Sequence, residues 1–275
     1  MFCISVVVNS MQAQEDDFLR RGEVTFGAGA MNYIGDLNNQ SAFGTLHPAF
    51  SLGLRCRIDN RLAVKVEASH GRISSEDYLA WRNLSFRSDI TEAAVLGEFN
   101  FWNYGSGATD RNWVFYLFGG IGTFNFNPMA LYTAGDGHQE WVPLQPLHTE
   151  GQGTLQYPGR RPYQLTQLML PFGIGVKGRI SKSLTYSVEY SFRKTWTDYL
   201  DDVSTTYVGS ELLQENNTDG QLAATLADRS EVPNAVGVKR GDDSLDDWYA
   251  FIRFSLGLRL ETILGWTRSK KCKII

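Results

Sequence analysis

The stretch Phe50–Ser69, FSLGLRCRIDNRLAVKVEAS, decides how the chain is read. Phe50, Leu52, Leu54, Cys56 and Ile58 alternate with Ser51, Gly53, Arg55 and Arg57, a period of two that marks a half-buried strand. After the turn-forming pair Asp59 and Asn60, the alternation resumes with Leu62, Val64, Val66 and Ala68 against Lys65, Glu67 and Ser69. Two such runs joined by a short turn make an antiparallel hairpin.

The same pattern extends in both directions. Upstream, Val24, Phe26, Ala28 and Ala30 define a first strand. Downstream, Ala93, Val95, Phe99 and Phe101 alternate with Glu92, Glu98 and Asn100 in a fourth, and Trp113–Phe124 forms a fifth, apolar on both faces and interrupted by Gly119, Gly120 and Gly122. A sixth strand sets Leu168, Leu170, Phe172, Ile174 and Val176 against Gln167, Gly173, Gly175, Lys177 and Arg179. After Ser181-Lys182-Ser183, a seventh sets Leu184, Tyr186, Val188, Tyr190 and Phe192 against Ser187, Glu189, Ser191 and Arg193. Trp248, Ala250, Ile252, Phe254, Leu256, Leu258 and Leu260 opposite Arg253, Ser255 and Arg259 form the eighth. Connections are short after the second, fourth and sixth strands and long after the first, third, fifth and seventh, the loop asymmetry of outer-membrane barrels. The expected fold is all-β: an eight-stranded antiparallel transmembrane β-barrel with long extracellular loops and periplasmic termini.

A soluble barrel of lipocalin type shares the period with the opposite sidedness, so alternation alone does not separate the two. Three features favour the membrane. The polar face carries charges of both signs that suit a lumen; Trp102, Tyr104, Trp113 and Trp248 lie at strand ends, as an interfacial girdle would; and loop lengths differ on the two sides.

Composition agrees with a folded, sheet-rich chain: 43% apolar, 13% aromatic and 20% charged residues with 27 glycines in 275 residues. No apolar run is long enough for a spanning helix, and a net charge of -4 without a basic tract disfavours nucleic acid. The opening MFCISVVVNSMQAQ reads as the end of a secretory signal peptide cut near Ala13, so residues 1–13 are assigned to the signal, 14–260 to the barrel and 261–275 to a periplasmic basic tail carrying Lys270, Lys271 and Lys273. Cys3, Cys56 and Cys272 have neither disulfide-framework nor metal spacing.

The inward charges Arg55, Lys65, Glu67, Glu92, Glu98, Lys177, Glu189, Arg193 and Arg253 read either as an ion pathway or as an ion-pair network filling the lumen. The network is favoured, because an eight-stranded barrel is only just wide enough inside for side chains. No catalytic constellation is found: His47, His138 and His148 fall in outer loops and His70 near a strand end, with no hydrolase-type serine turn beside them. The acidic connection Thr195–Asp246 is read as a solvated loop; Asp198, Asp201 and Asp202 do not have calcium-loop spacing, and no metal or cofactor is expected. The proline-rich connection from Asn125 to Pro162 reads as an ordered cap over the barrel.

Four runs carry a family resemblance: YIGDLN at Tyr33–Asn38, LQPLHTEGQG at Leu144–Gly153, TDYLDDVSTTY at Thr197–Tyr207 and DDWYAFIRFSLGLRL at Asp246–Leu260. Together they resemble the PorG-like family of Bacteroidetes outer-membrane proteins, over nearly the whole mature chain. The resemblance implies a component of the type IX secretion system, embedded in outer-membrane lipid and associated with periplasmic ring proteins. Gly35, Asp36, Thr149, Glu150, Gly151, Gly153, Asp198, Tyr199, Asp201 and Asp202 in these runs serve either partner contact or the folding of the loops themselves. The sequence carries no reading of oligomeric state.

Overall fold

The computed structural model describes residues 21–37, 45–79, 81–104 and 111–263. The signal peptide and all but the first three residues of the tail lie outside them.

Eight strands form the barrel: β1 (Gly22–Ile34), β2 (His47–Arg57), β3 (Leu62–Glu76), β4 (Ser85–Asn100), β5 (Trp113–Asn125), β8 (Thr166–Arg179), β9 (Leu184–Thr195) and β10 (Trp248–Arg259). Each pairs antiparallel with its neighbours, and β1 closes on β10 from Glu23 opposite Arg259 to Ile34 opposite Trp248. Closure leaves no free edge, so the backbone polar groups of the barrel strands are satisfied within the sheet, as a hydrocarbon solvent demands. The short turns are built by local side-chain chemistry. Asp59 Oδ1 accepts from the amides of Arg61 (2.6 Å) and Leu62 (2.8 Å), and Ser181 Oγ accepts from those of Ser183 (3.2 Å) and Leu184 (3.1 Å).

Period two sorts the side chains as the hairpin predicts. Phe50, Val66, Ile121 and Phe254 point outward, Phe50 being 62% and Ile121 68% exposed, in a continuous apolar band around the sheet. All nine predicted lumen charges point inward and are buried. Polar inside and apolar outside is the sidedness of a membrane barrel and the reverse of a lipocalin.

Some local expectations need correction. Tyr104 does not join a girdle; it is buried at the short-turn mouth near Lys177, its amide donating to the Asn60 carbonyl at 3.2 Å. Trp102 and Trp113 do cluster near that rim, their rings 4.9 Å apart. His70 sits within β3 on the outer face, bonded to Thr91 Oγ1 at 2.9 Å, and His47 opens β2.

At the other end the long connections fold into a cap. The connection between β5 and β8 holds a hairpin, β6 (Pro128–Thr133) and β7 (Gln139–Pro143), followed by a 3-10 turn at Gln145–Leu147. The hairpin is attached to the barrel where β6 pairs with β4 through Arg87 and Ser88, and the Arg87 guanidinium lies 3.7 Å from the Trp141 ring centre. The acidic connection between β9 and β10 holds two short helices, α1 (Ser210–Asn216) and α2 (Gly220–Ala227), which bury Leu213, Ala223 and Leu226 against Leu144 and Leu147.

Candidate functional site

Inside the barrel, charge is balanced. Five cations, Arg55, Lys65, Lys177, Arg193 and Arg253, face five carboxylates, Glu23, Glu67, Glu92, Glu98 and Glu189. Arg55 reaches Glu23 at 2.7 Å and Glu98 at 2.9 Å, and Lys177 closes on Glu98 at 2.5 Å. Glu189 is the hub: Arg253 and the Tyr116 hydroxyl donate to it, and Arg55 and Lys65 stand 3.7 Å away. Arg193 forks onto both oxygens of Glu92, which also accepts from Tyr249 at 2.7 Å. Glu23, the fifth carboxylate, escaped the sequence reading, although it stands beside Val24 on the polar face of the first strand.

Long side chains fit because inward positions opposite them are glycine. A Cβ on Gly175 would lie 2.7 Å from the Tyr116 ring, and one on Gly27 would lie 2.8 Å from Arg253 Cδ. Toward the long-loop end the lumen changes from charged to apolar: Met31, Ile73, Phe86, Ile90, Met169 and Phe251 pack with Phe124 into a plug. From Tyr249 a column of rings climbs through Phe124 (5.7 Å), Phe126 (5.5 Å), Tyr163 (6.1 Å) and Tyr199 (4.8 Å), joining the barrel to the cap.

The cap is organised around two buried acidic centres, both assembled from the family-like runs. In the first, Glu150 is wholly buried: it accepts the amides of Ser204 and Thr205, each at 2.9 Å, the Thr205 hydroxyl at 2.6 Å and Arg240 Nη1 at 3.0 Å. Asp202 beside it accepts from Thr149 Oγ1 (2.5 Å) and the Tyr163 hydroxyl (2.7 Å), which offset its left-handed φ of 68°. Gly151 and Gly153, at φ +72° and +81°, make the turn that returns the chain under Glu150. In the second, the Tyr33 oxygen lies 2.6 Å from Asp201 Oδ2 and 2.7 Å from Asp247 Oδ1. A phenol has one proton, so one contact uses the Tyr33 hydroxyl and the other needs a proton on a carboxyl. Gly35 permits this approach, since a Cβ there would meet Asp247 Oδ1 at 1.7 Å. Asp36 ties the arrangement to the neighbouring loop by accepting the Asp242 amide at 2.6 Å.

These contacts correct the reading of the acidic connection as a solvated loop at its start, where Asp201 and Asp202 are buried; Glu211, Glu215, Asp219, Glu231, Asp243 and Asp246 are exposed, as that reading expected. Asp201, Asp202 and Asp247 are buried because the connection folds over the plug and under the helices. Burial pushes Asp198 up to about 8, Asp201 up to about 7 and Asp202 up to about 6, and raises Asp247 well above the carboxylate range. Arg240, whose guanidinium reaches Glu150, restrains Asp202. Thr149, Glu150, Asp201 and Asp202 have no free surface to offer a partner, and Tyr199 is half-buried with its hydroxyl 3.3 Å from Glu150, so these runs build the cap. Arg240, Tyr163 and Asp247 complete the centres and were not singled out by sequence, because nothing local marks a residue whose partners lie tens of positions away.

Among the described residues no cluster of three or more His, Cys, Asp or Glu could hold a metal. His47 Nε2 lies 2.6 Å from Ser74 Oγ at the rim, and among the described residues no carboxylate is hydrogen-bonded to the ring. His138 lies in the β6–β7 turn, and His148 follows the 3-10 turn at φ 46°.

A closed, apolar-faced barrel with a packed lumen is the architecture of small outer-membrane β-barrel proteins. Residues 1–140 match the family model described as "Domain of unknown function (DUF6089)", and the chain belongs to that family. No curated protein matches the chain. Among solved structures it is similar to Neisserial surface protein A (12% identity, 86% of this chain and 96% of that chain, TM-score 0.43). It is also similar to Ail, the attachment invasion locus protein of Yersinia pestis (10% identity, 86% and 96% covered, TM-score 0.40). The outer membrane protein OprG of Pseudomonas aeruginosa compares similarly (12% identity, 86% and 96% covered, TM-score 0.39).

Two outcomes are expected from these centres. Replacing Glu189 with Gln strands the surrounding cations and should lower stability by about 3–5 kcal/mol. The half-exposed pair Lys194–Asp246, at 3.4 Å, should lose under ~1 kcal/mol on Lys194→Gln. Urea titration of the refolded protein in detergent compares them; equal small losses would mean that water screens the lumen. The second outcome concerns pH. Folded pKa values above the unfolded value of about 3.9 mean that the folded cap binds more protons than the unfolded chain, so its stability falls as pH rises from about 4 to 8. Protease nicking of the cap should therefore be faster at about pH 8.5 than at about pH 5.5. Asp247→Asn, whose amide donates to Tyr33 while its oxygen still accepts the Leu200 amide, should flatten the difference. An unchanged pH profile in that variant would remove the shared-proton account.

Proposed function

We propose that this protein is a non-enzymatic, non-conducting outer-membrane barrel that acts through contacts made by its ends, with short turns and termini in the periplasm and the cap outside. The observation that carries this reading is the filled lumen: among the described residues a balanced ion-pair layer lies below a plug of aromatic and aliphatic side chains. A cap braced from within by buried carboxylates suits a rigid recognition surface, and Leu155, Val232, Val236 and Leu245 stand exposed on it. The reading is that of a binding barrel of unassigned role rather than a porin. In planar bilayers the pure refolded protein is expected to leave the membrane insulating; steady single-channel currents would refute it.

A narrower reading rests on the PorG-like resemblance: the barrel is a component of the type IX secretion machinery and anchors or positions its periplasmic ring complex. What supports it is the set of four runs quoted above. Crosslinking and purification from outer membranes through a tag after Ile275 should recover periplasmic ring proteins. Recovery of the barrel without them would leave the broader reading standing and remove the narrower one.

A further inference from the structure

The balanced lumen has an unbalanced neighbour at the short-turn mouth. Arg57, Arg179 and Arg259 each stand two residues beyond an inward position, Arg55, Lys177 and Gly257 respectively, so the strand period places all three on the inner side of the rim. The charges of Arg259 and Arg179 act against that of Arg57, with Glu23 acting in the opposite sense. Arg179 Nη2 donates to Asn112 Oδ1 at 2.7 Å, and among the described residues no carboxylate forms an ion pair with any of the three. The nearby Glu23 is held by Arg55 within the lumen network. Beside the arginines lies a cleft of about 660 Å³ lined by Asn112, Arg179, Ser181, Lys182, Arg259 and Glu261. Its one acid, exposed Glu261, stands against three cations, with Arg57 adding a fourth on the neighbouring rim.

We infer that this mouth is a binding site for an acidic, carboxylate-bearing peptide segment of another protein, held by Arg57, Arg179 and Arg259 with Lys182 at its edge. The site is independent of the cap and of any role in secretion. Like charges gathered on one rim cost free energy that an external anion recovers, and guanidinium forks match carboxylates in geometry. The cations line the inner side of the rim rather than the apolar outer face, so the ligand arrives from the aqueous compartment and not from lipid. Buried Tyr104 and the Lys177–Glu98 pair close the lumen above, so a bound segment is held and not passed through.

The test uses the full chain in detergent and a fluorescein-labelled hexaglutamate peptide followed by anisotropy. Binding is expected at low salt, weakening as salt rises. The double variant Arg57→Gln/Arg179→Gln should lose about tenfold or more in affinity, whereas Lys239→Gln on the cap should lose nothing. Unchanged affinity in a double variant that keeps the heat-modifiable mobility of a folded barrel overturns the site. If that variant does not fold, carbodiimide coupling of the peptide to the unaltered protein decides: the crosslink is expected at Lys182, and coupling at Lys239 without Lys182 overturns the inference. Retention of labelled phosphatidylglycerol through these arginines, with no retention of hexaglutamate, overturns it in favour of a lipid headgroup.

Discussion

Charge neutrality inside a narrow cylinder governs this molecule. An eight-stranded barrel encloses roughly the width of two facing side chains, too little for bulk water to solvate ten ionised groups. Each cation must therefore find a carboxylate on another strand, and the five-against-five arrangement meets that condition with Glu189 shared among several donors. Such pairs are weak contributors to net stability compared with apolar packing, yet removing one member is costly. They also specify register. Slipping a strand by one residue would move its charges from lumen to lipid, so the network and the apolar band enforce the same pairing from opposite sides of the sheet.

The upper half of the lumen solves a different problem. Where the long loops leave the barrel, apolar and aromatic side chains replace ion pairs, and the ring column from Tyr249 to Tyr199 passes from barrel core to cap core without a gap. The cap thus needs no separate foundation. Its own hydrophobic cluster is small, around Leu144, Leu147 and Leu213, so hydrogen-bonded carboxylates supply much of its definition. Glu150 alone gathers amides, hydroxyls and a guanidinium from a stretch of chain that its own loop does not touch in sequence. A buried acid saturated in this way acts as a clasp, since every donor it recruits would otherwise be an unsatisfied group under the cap.

The two ends of the molecule consequently differ in chemistry. The long-loop end buries excess acid, part of it held by a shared proton, and the short-turn end displays excess guanidinium. The transverse layer between them is packed and charge-balanced. A barrel of this kind communicates with each side of a membrane through surfaces and not through a pore.

Much of this was legible in the chain itself. Alternation in segments such as Phe50–Ser69 determines which face of each strand meets lipid, because that follows from the two-residue period. Loop length marks the elaborated end only through the two longest connections, since β3 and β4, expected to be joined by a long loop, are separated by eight residues and β4 and β5, expected to be joined by a short one, by twelve. Nine of the ten lumen charges could be named because each occupies a polar slot in an apolar alternation; Glu23 followed the same rule but began its strand, where the pattern is shortest. The partners of those charges could not be named, since Arg55 meets Glu98 across a barrel whose shear and closure no local window records. The start of the acidic connection was misread for the same reason. Its composition is that of a solvated loop, and Asp201, Asp202 and Asp247 become interior groups only when donors from β1, the β5–β8 connection and the loop before β10 converge on them. Periodicity is a property of neighbours in sequence and decided the barrel; burial of a charge is a property of neighbours in space, and only the tertiary structure decided that.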